Sequence, residues 1–226
     1  MEFILDTADL ADIRRCNEYL PIVGVTTNPS IVHACGVKNL FAHFNEIRSI
    51  IGEKTLHMQA VATTAQGIVD DAHAIMDKVD REVYVKVPVT MEGLKAMKQR
   101  KKENIHITAT CVYQKSQGLL ALAAGADYIA PYYNRMMNMD IDADDVIASI
   151  ADQIANGGYN TKILAASFKN MTQVNRAFAA GAQSVTVQPQ LLYDAFAMPS
   201  IDKAVRDFND AWAKSFGDKT IADLAK

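Results

Sequence analysis

Apolar positions along this chain follow two periods in alternation. Short apolar or β-branched runs stand at Phe3–Leu5, Val23–Thr26, Leu56–Val61, Val83–Val87, His106–Thr110, Tyr128–Ala130, Lys162–Ala165 and Ser184–Val187. Runs of this length and character are expected of strands in a parallel sheet covered on both faces. Between them the spacing changes to three and four. Ile68, Ala72, Ile75 and Val79 share one helical face, as do Val146, Ile147, Ile150 and Ile154. A repeat underlies the alternation. Leu122-Ala-Ala-Gly125-Ala-Asp-Tyr-Ile129 and Phe178-Ala-Ala-Gly181-Ala-Gln-Ser-Val185 each end an apolar helix at a glycine and enter a strand. Glycine suits the left-handed position that stops a helix. One strand–helix unit lies between the two copies, so the repeat is about 28 residues and fits the 226-residue chain about eight times. Eight strand–helix units predict an α/β fold closed as a (β/α)8 barrel spanning residues 1–226 as one domain. The alternative, a doubly wound open sheet, wants a glycine-rich phosphate turn after the first strand, and Asp6-Thr7-Ala8-Asp9 is not one.

Beyond the last strand the pattern changes again. Ile201, Val205, Phe208, Trp212 and Phe216 form a continuous helical stripe, predicting an extra C-terminal helix over about 200–217. The stripe suits packing on the chain's own barrel and docking on a neighbouring subunit equally well.

In barrels of this kind chemistry gathers at the C-terminal ends of the strands. Seven of the eight predicted strand ends here are polar: Asp6; Thr26-Thr27-Asn28; Gln59; Lys86; Thr110; Tyr132-Tyr133-Asn134-Arg135; and Ser167-Phe168-Lys169. Lys86 is the most informative. Period-2 alternation in Val83-Tyr84-Val85-Lys86-Val87-Pro88 puts three valines toward the helices and points Lys86 into the barrel. Burying an ammonium is costly. Desolvation lowers the amine's pKa from its unperturbed value of about 10.4 and frees it to attack a carbonyl. The competing reading is a structural lysine paired with a buried carboxylate such as Asp6.

Composition narrows the field. Half the residues are hydrophobic, 22% are charged and the net charge is −3, as for a soluble globular protein with no bias toward nucleic acid or a membrane surface. No apolar run approaches the ~20 residues of a membrane span. The N-terminus shows no basic region or cleavage site, and Cys16, Cys35 and Cys111 have no metal or redox spacing, so free thiols in the cytoplasm are expected. The five histidines form no cluster, and no metal site or cofactor is predicted. His57 and His106 read as core or rim residues. Met136–Met139 reads as a flexible loop, with a substrate lid as the alternative. The acidic run Asp140–Asp145 suits a helix N-terminus, and the basic stretch Lys98–Lys102 a solvated helix end.

Taken together, Leu5-Asp6-Thr7, Gly24-Val25-Thr26-Thr27-Asn28-Pro29-Ser30, Val85-Lys86-Val87-Pro88, Ala130-Pro131-Tyr132-Tyr133-Asn134-Arg135 and Ala165-Ala166-Ser167-Phe168-Lys169 resemble the transaldolase family from residue 2 to about 217. Two positions resemble its fructose-6-phosphate aldolase branch: Gln59, where true transaldolases carry Glu, and Tyr132, where they carry Phe. The resemblance implies that Lys86 forms a Schiff base with a dihydroxyacetone unit and that Tyr132 is the general acid/base. It implies that Gln59 and Thr110 hold a water and that Asp6 aids proton transfer. Thr26 and Asn28 would bind the ketose, and Arg135, Ser167 and Lys169 the phosphate. That set follows strands six and seven, whereas barrels commonly bind phosphate after seven and eight. The loop Met136–Asp140 departs from the family in lacking glycine. The implied partners are a sugar phosphate and dihydroxyacetone, with a homo-oligomer, a decamer of two pentamers, as the assembly. The expected activity is metal-independent, reversible aldol cleavage of fructose 6-phosphate. Transaldolase activity and a non-catalytic phosphosugar-binding barrel are the alternatives; joint retention of Lys86, Asp6 and Tyr132 opposes the latter.

Overall fold

The computed structural model of the chain describes residues 1–99 and 103–226. Its contacts divide the chain into two compact units, Met1–Pro189 and Gln190–Lys226. The first holds eight strands: β1 (Glu2–Asp6), β2 (Ile22–Thr26), β3 (Thr55–Gln59), β4 (Tyr84–Pro88), β5 (His106–Val112), β6 (Tyr128–Pro131), β7 (Lys162–Ala165) and β8 (Ser184–Val187). They pair parallel in chain order, and β8 returns to β1, so the sheet closes. The predicted (β/α)8 barrel is the observed fold.

Helices lie between the strands. They are α1 (Leu10–Tyr19), α2 (Pro29–Ala34), α3 (Leu40–Ile51), α4 (Ala65–Lys78), α5 (Met91–Met97), α6 (Lys115–Ala123), α7 (Tyr133–Met137), α8 (Ala143–Gly157) and α9 (Met171–Ala179). Their starts are built by side chains that take up orphan amides, as Asn28, Thr64, Asp142 and Asn170 do. Asp144 and Asp145 occupy the first turn of α8, where carboxylates favour the helix dipole, in line with the reading of the acidic run. The repeat glycines behave as predicted: Gly125 and Gly181 have φ of 85° and 104° just after α6 and α9. The faces read from the sequence are buried at Ile68, Ala72 and Ile75 of α4 and at Val146, Ile147, Ile150 and Ile154 of α8. Val79 is only half-buried, because it caps α4 rather than continuing it.

Most strands shift by one residue at an end from the predicted bounds, and two end two residues away, each for a local reason. β3 stops at Gln59 rather than Val61, because the Val61 and Ala62 amides turn away to the Asp71 carboxylate at 2.8 Å each. β5 runs past Thr110 to Val112 through a bulge, with its register against β6 shifting between Ala109 and Val112 and Cys111 at φ 60°. One glycine is fixed by a close approach: a Cβ on Gly24 would lie 2.5 Å from the Thr55 carbonyl oxygen of the neighbouring strand. Met136–Met139 is not a free loop. Met136 and Met137 complete α7, and Met136 is fully buried. Lys98 is the exposed cap of α5, while residues 100–102 lie outside the described residues.

The barrel interior is layered. Ile4, Tyr128 and Leu164 form an apolar cluster against which Tyr84 packs. His57 stacks on Tyr84 with ring centroids 4.8 Å apart and meets the Tyr128 edge at 5.1 Å. Further along the strands the filling turns polar, with Thr26, Lys86, Thr108, Thr110 and Thr186 all buried.

The second unit contains most of α10 (Pro189–Phe196), then α11 (Pro199–Phe216) and α12 (Ile221–Leu224). The predicted C-terminal helix is α11. Its Trp212 ring lies 4.5 Å from Phe216, and the Trp212 indole N–H donates to the Lys219 carbonyl at 2.7 Å. Along its stripe Ile201, Val205, Phe208 and Phe216 are exposed. Among the described residues no helix is long and apolar enough to cross a membrane.

Candidate active site

The C-terminal ends of the strands surround a cavity of about 420 Å³. Asp6, Asn28, Lys86, Tyr132, Arg135, Ser167 and Lys169 all line it, so seven of the ten site residues expected from the sequence meet in one place. They arrive from five strands or the turns that follow them, β1, β2, β4, β6 and β7, which is why sequence spacing alone does not show the convergence.

Lys86 sits on the inward register of β4 and is only 5% exposed. Burial is the main force on its amine and pushes the pKa below the ordinary lysine value; the negative charge of Asp6 acts in the opposite sense, and more weakly. Nζ donates to the Thr27 carbonyl at 2.7 Å, which fixes the side chain while leaving a lone pair for a carbonyl carbon once the amine is neutral. The alternative of a lysine locked in a salt bridge does not match this geometry, since no carboxylate among the described residues lies within 4 Å of Nζ.

Burial likewise raises the pKa of Asp6 above the usual carboxylate range, opposed by Lys86 and by a hydrogen bond from Thr26. Thr26 Oγ1 donates to Asp6 Oδ1 at 2.8 Å and lies 2.6 Å from Thr186 Oγ1. Thr26 was expected to bind substrate. It is fully buried and does not line the cavity, and its hydroxyl bonds to Asp6 and Thr186, which do.

Tyr132 enters from the turn after β6. Its hydroxyl lies 2.8 Å from Thr110 Oγ1 and accepts from the Cys111 thiol at 3.8 Å. The β5 bulge explains how two successive residues reach one phenol, because an extra residue breaks strict alternation. Burial holds the phenol above its ordinary pKa, so it keeps its proton at neutral pH. The Arg135 guanidinium lies over the same ring, 4.8 Å from its centroid, and donates to the Tyr113 hydroxyl at 3.3 Å. Thr110, expected to hold a water with Gln59, does not line the cavity; its visible side-chain contact is with the Tyr132 hydroxyl. Gln59 lines two adjoining cavities, of about 210 and 420 Å³, instead of the one that holds Lys86.

Arg135, Ser167 and Lys169 form a cationic and hydroxylic rim. Ser167 has φ 66°, a conformation that costs a non-glycine residue roughly 1 kcal/mol or more. Its carbonyl accepts from the Asn134 amide at 3.0 Å, while the Ala166 carbonyl accepts from Tyr133 at 2.8 Å. These bonds tie the β7 turn to the start of α7. At the eighth strand end two polar lining residues escaped the sequence reading, Thr186 of β8 and Gln188 just beyond it. Ser184, Thr186 and Gln188 alternate at period two, and that signal would have exposed the eighth strand end. An arrangement of this kind can present a neutral amine to a carbonyl, a phenol to the adjacent carbon or oxygen, and cations to an anion.

A closed parallel barrel with a buried lysine in its mouth has the parts that attack on a carbonyl through an amine would need. The profile of the Transaldolase/Fructose-6-phosphate aldolase family matches residues 3–224, and the chain belongs to that family. A protein of Streptococcus pneumoniae named "Probable fructose-6-phosphate aldolase" is 50% identical over 213 residues, covering 94% of this chain and 96% of its own length. Among solved structures, inosine 5′-monophosphate dehydrogenase from Legionella pneumophila superposes with a TM-score of 0.60 at 14% identity. That match covers 84% of this chain and 58% of the dehydrogenase, and it speaks for the barrel alone.

Proposed function

We propose that this protein is a Schiff-base aldolase that reversibly cleaves fructose 6-phosphate to dihydroxyacetone and glyceraldehyde 3-phosphate. The observation that carries the reading is Lys86, a buried amine in a cavity rimmed by Arg135, Ser167 and Lys169. Family membership and a relative of half-identical sequence that bears the aldolase name support it.

In the cleavage direction Lys86 Nζ adds to the C2 carbonyl of the ketose, and water leaves to give an iminium. The C3–C4 bond then breaks, its electrons flow into the iminium to give an enamine, and the C4 hydroxyl loses its proton to a base. That proton passes through a water served by Gln59 to the Asp6 carboxylate. The protonated Tyr132 phenol, with Thr110 hydrogen-bonded behind it, supplies the proton of the next step and is reloaded from Asp6 through the same water. The enamine takes a proton at C3, and hydrolysis of the resulting iminium frees dihydroxyacetone and returns Lys86. Asp6 assists the proton transfers, and Asn28 holds ketose hydroxyls. Arg135, Ser167 and Lys169 receive the phosphate through charge-assisted hydrogen bonds. An iminium is itself the electron sink that carbon–carbon cleavage requires.

We further propose self-association through the exposed stripe of α11, in a ring such as a decamer of two pentamers, and a cytoplasmic location. The test of the activity is a product assay on fructose 6-phosphate with no acceptor aldehyde added. Free dihydroxyacetone is the expected product. Turnover that appears only when an aldose acceptor is supplied would make the protein a transaldolase.

A further inference from the structure

Gln173, in the first turn of α9, lies outside the catalytic set and does not line the cavity, yet it touches both loops that carry the rim. It is 8% exposed, uncommon for a residue with an uncharged polar head near a solvent-filled mouth. Its amide oxygen accepts from the Lys169 backbone N–H at 2.8 Å. Its amide nitrogen donates to Asn134 Oδ1 at 3.0 Å. Its own backbone N–H is taken up by the Asn170 side chain at 3.0 Å, which fixes the rotation of the helix turn that carries it. Asn134 immediately precedes Arg135, and Lys169 is the other cation of the rim. One buried amide therefore spans the β6 and β7 turns, joining the backbone of Lys169 to the side chain of the residue before Arg135.

A second glutamine in the same chain shows what such a residue does when it only caps. Gln117, in the first turn of α6, uses its amide oxygen on the Tyr113 and Gln114 amides at 2.8 and 3.1 Å, both in its own loop. Gln173 accepts in the matching way, from the residue before its helix cap, but its nitrogen reaches across to the neighbouring loop. Local capping explains the first bond and leaves the second unexplained. A donor and an acceptor on one rigid planar group is what holding two loops at a fixed separation requires.

We propose that Gln173 is the positioning residue that sets the distance between Arg135 and Lys169, making them a clamp for a phosphate group on the substrate. The inference rests on the reading of this rim as a phosphate site. Gln173 itself meets no substrate atom. It acts through Asn134 and the Lys169 backbone.

The experiment compares KM and kcat for fructose 6-phosphate and for unphosphorylated fructose in wild type, Gln173→Met and Asn134→Ala. Gln173→Met keeps length and burial but loses both bonds, while Asn134→Ala removes only the cross-loop bond; Asn134 is half-buried and lines the cavity, so KM for fructose reports any direct contact it makes with the sugar. Both variants are expected to raise KM for the phosphorylated ketose by about tenfold, the scale of a hydrogen bond or two. KM for fructose and kcat for either substrate should stay within about twofold, on the same footing. The double variant should be no worse than the poorer single one, because both remove the same bond. Wild type that does not discriminate between the two ketoses overturns the phosphate reading and this inference with it. Wild type that does discriminate, with Asn134→Ala or Gln173→Met keeping the same KM ratio, overturns the positioning role alone. Equal loss on both ketoses with a lowered melting temperature does so too, since it makes Gln173 a structural cap like Gln117.

Discussion

Replacing Tyr132 by Phe removes one oxygen, and the surroundings of that oxygen say what should follow. The hydroxyl lies 2.8 Å from Thr110 Oγ1 and accepts from the Cys111 thiol at 3.8 Å. Thr110 is fully buried, so it loses its side-chain partner where water cannot replace it easily. An unsatisfied buried hydroxyl costs roughly 1–3 kcal/mol. The extra apolar character of Phe and rotation of the threonine hydroxyl offset part of this, so about 1 kcal/mol should remain, or a fall in Tm of about 2–4 °C for a chain of this size. The catalytic effect should be larger. A positioned acid or base contributes typically 10²- to 10⁴-fold, and the buried phenol holds its proton at neutral pH, as a donor must.

The two steps that follow cleavage differ in their need for that proton. Release of dihydroxyacetone requires protonation of the bound enamine. Transfer to an acceptor aldehyde requires that the enamine stay unprotonated until the acceptor arrives. The variant should therefore lose acceptor-free release from fructose 6-phosphate by about 10²-fold or more, while transfer to erythrose 4-phosphate falls much less. Release is followed by coupled detection of dihydroxyacetone, transfer by separating the sugar phosphates, and stability by thermal melting of the same preparations. Suppression of both reactions by one common factor would show that Tyr132 assists cleavage alone and does not govern the enamine. An unchanged ratio in which wild-type transfer far outruns release would assign the protein to the transferases.

Borohydride added with a ketose donor should trap an adduct on Lys86, and Lys86→Met should abolish both adduct and turnover; peptide mapping of the adduct to another lysine would end the Schiff-base assignment. Arg135→Ala should raise KM for fructose 6-phosphate by about 10- to 150-fold, the range of a charge-assisted hydrogen bond, with far less effect on dihydroxyacetone as donor; equal damage to both would make Arg135 structural. Asp6→Asn should move the acid limb of the trapping rate to lower pH. Attack needs a neutral amine, so the rate rises as pH climbs through the Lys86 pKa, and removing the Asp6 charge leaves burial opposed only by the weaker influence of Cys111. A limb that stays in place would mean that Asp6 is not ionised beside Lys86. Phe208→Glu on the exposed stripe of α11 should lower the mass seen by light scattering, whereas an unchanged mass would exclude this face from assembly.

What could be read from the sequence divides along a physical line. The strand order, the two helix-ending glycines and the inward aim of Lys86 were all legible, because each depends on neighbours within a few residues. Period-2 alternation decides where Lys86 points whatever the rest of the chain does. Thr186 and Gln188 carried the same signal and were overlooked only because their strand end is less conspicuous. The ends of β3 and β5 were not legible. One is set by Asp71, twelve residues beyond Gln59, and the other by a bulge that no residue type announces. Thr26 shows the limit most clearly. Its place in a polar strand end pointed to the cavity, but its hydroxyl lies between Asp6 and Thr186, a partner 160 positions away.

His57 takes this argument one step further. Its position in a strand suggested a satisfied core residue, and the structure bears out half of that. Nδ1 pairs with Thr108 at 2.8 Å and the ring stacks on Tyr84, but Nε2 has no partner among the described residues. Burial, and next the charge of Lys86, hold its pKa well below the ordinary histidine value, so it stays neutral. A neutral ring suits this place. A cation among the buried side chains would add to the cost of any charge on the Lys86 amine and would itself be desolvated without a counter-ion. Protonation of His57 is therefore linked to loss of the fold: stability falls with acid once the unfolded chain binds this proton near pH 6.5 while the folded chain refuses it. The same desolvation that depresses the Lys86 pKa also keeps His57 uncharged. The conditions that prepare the nucleophile and those that preserve the barrel interior thus have one source, burial inside the closed barrel.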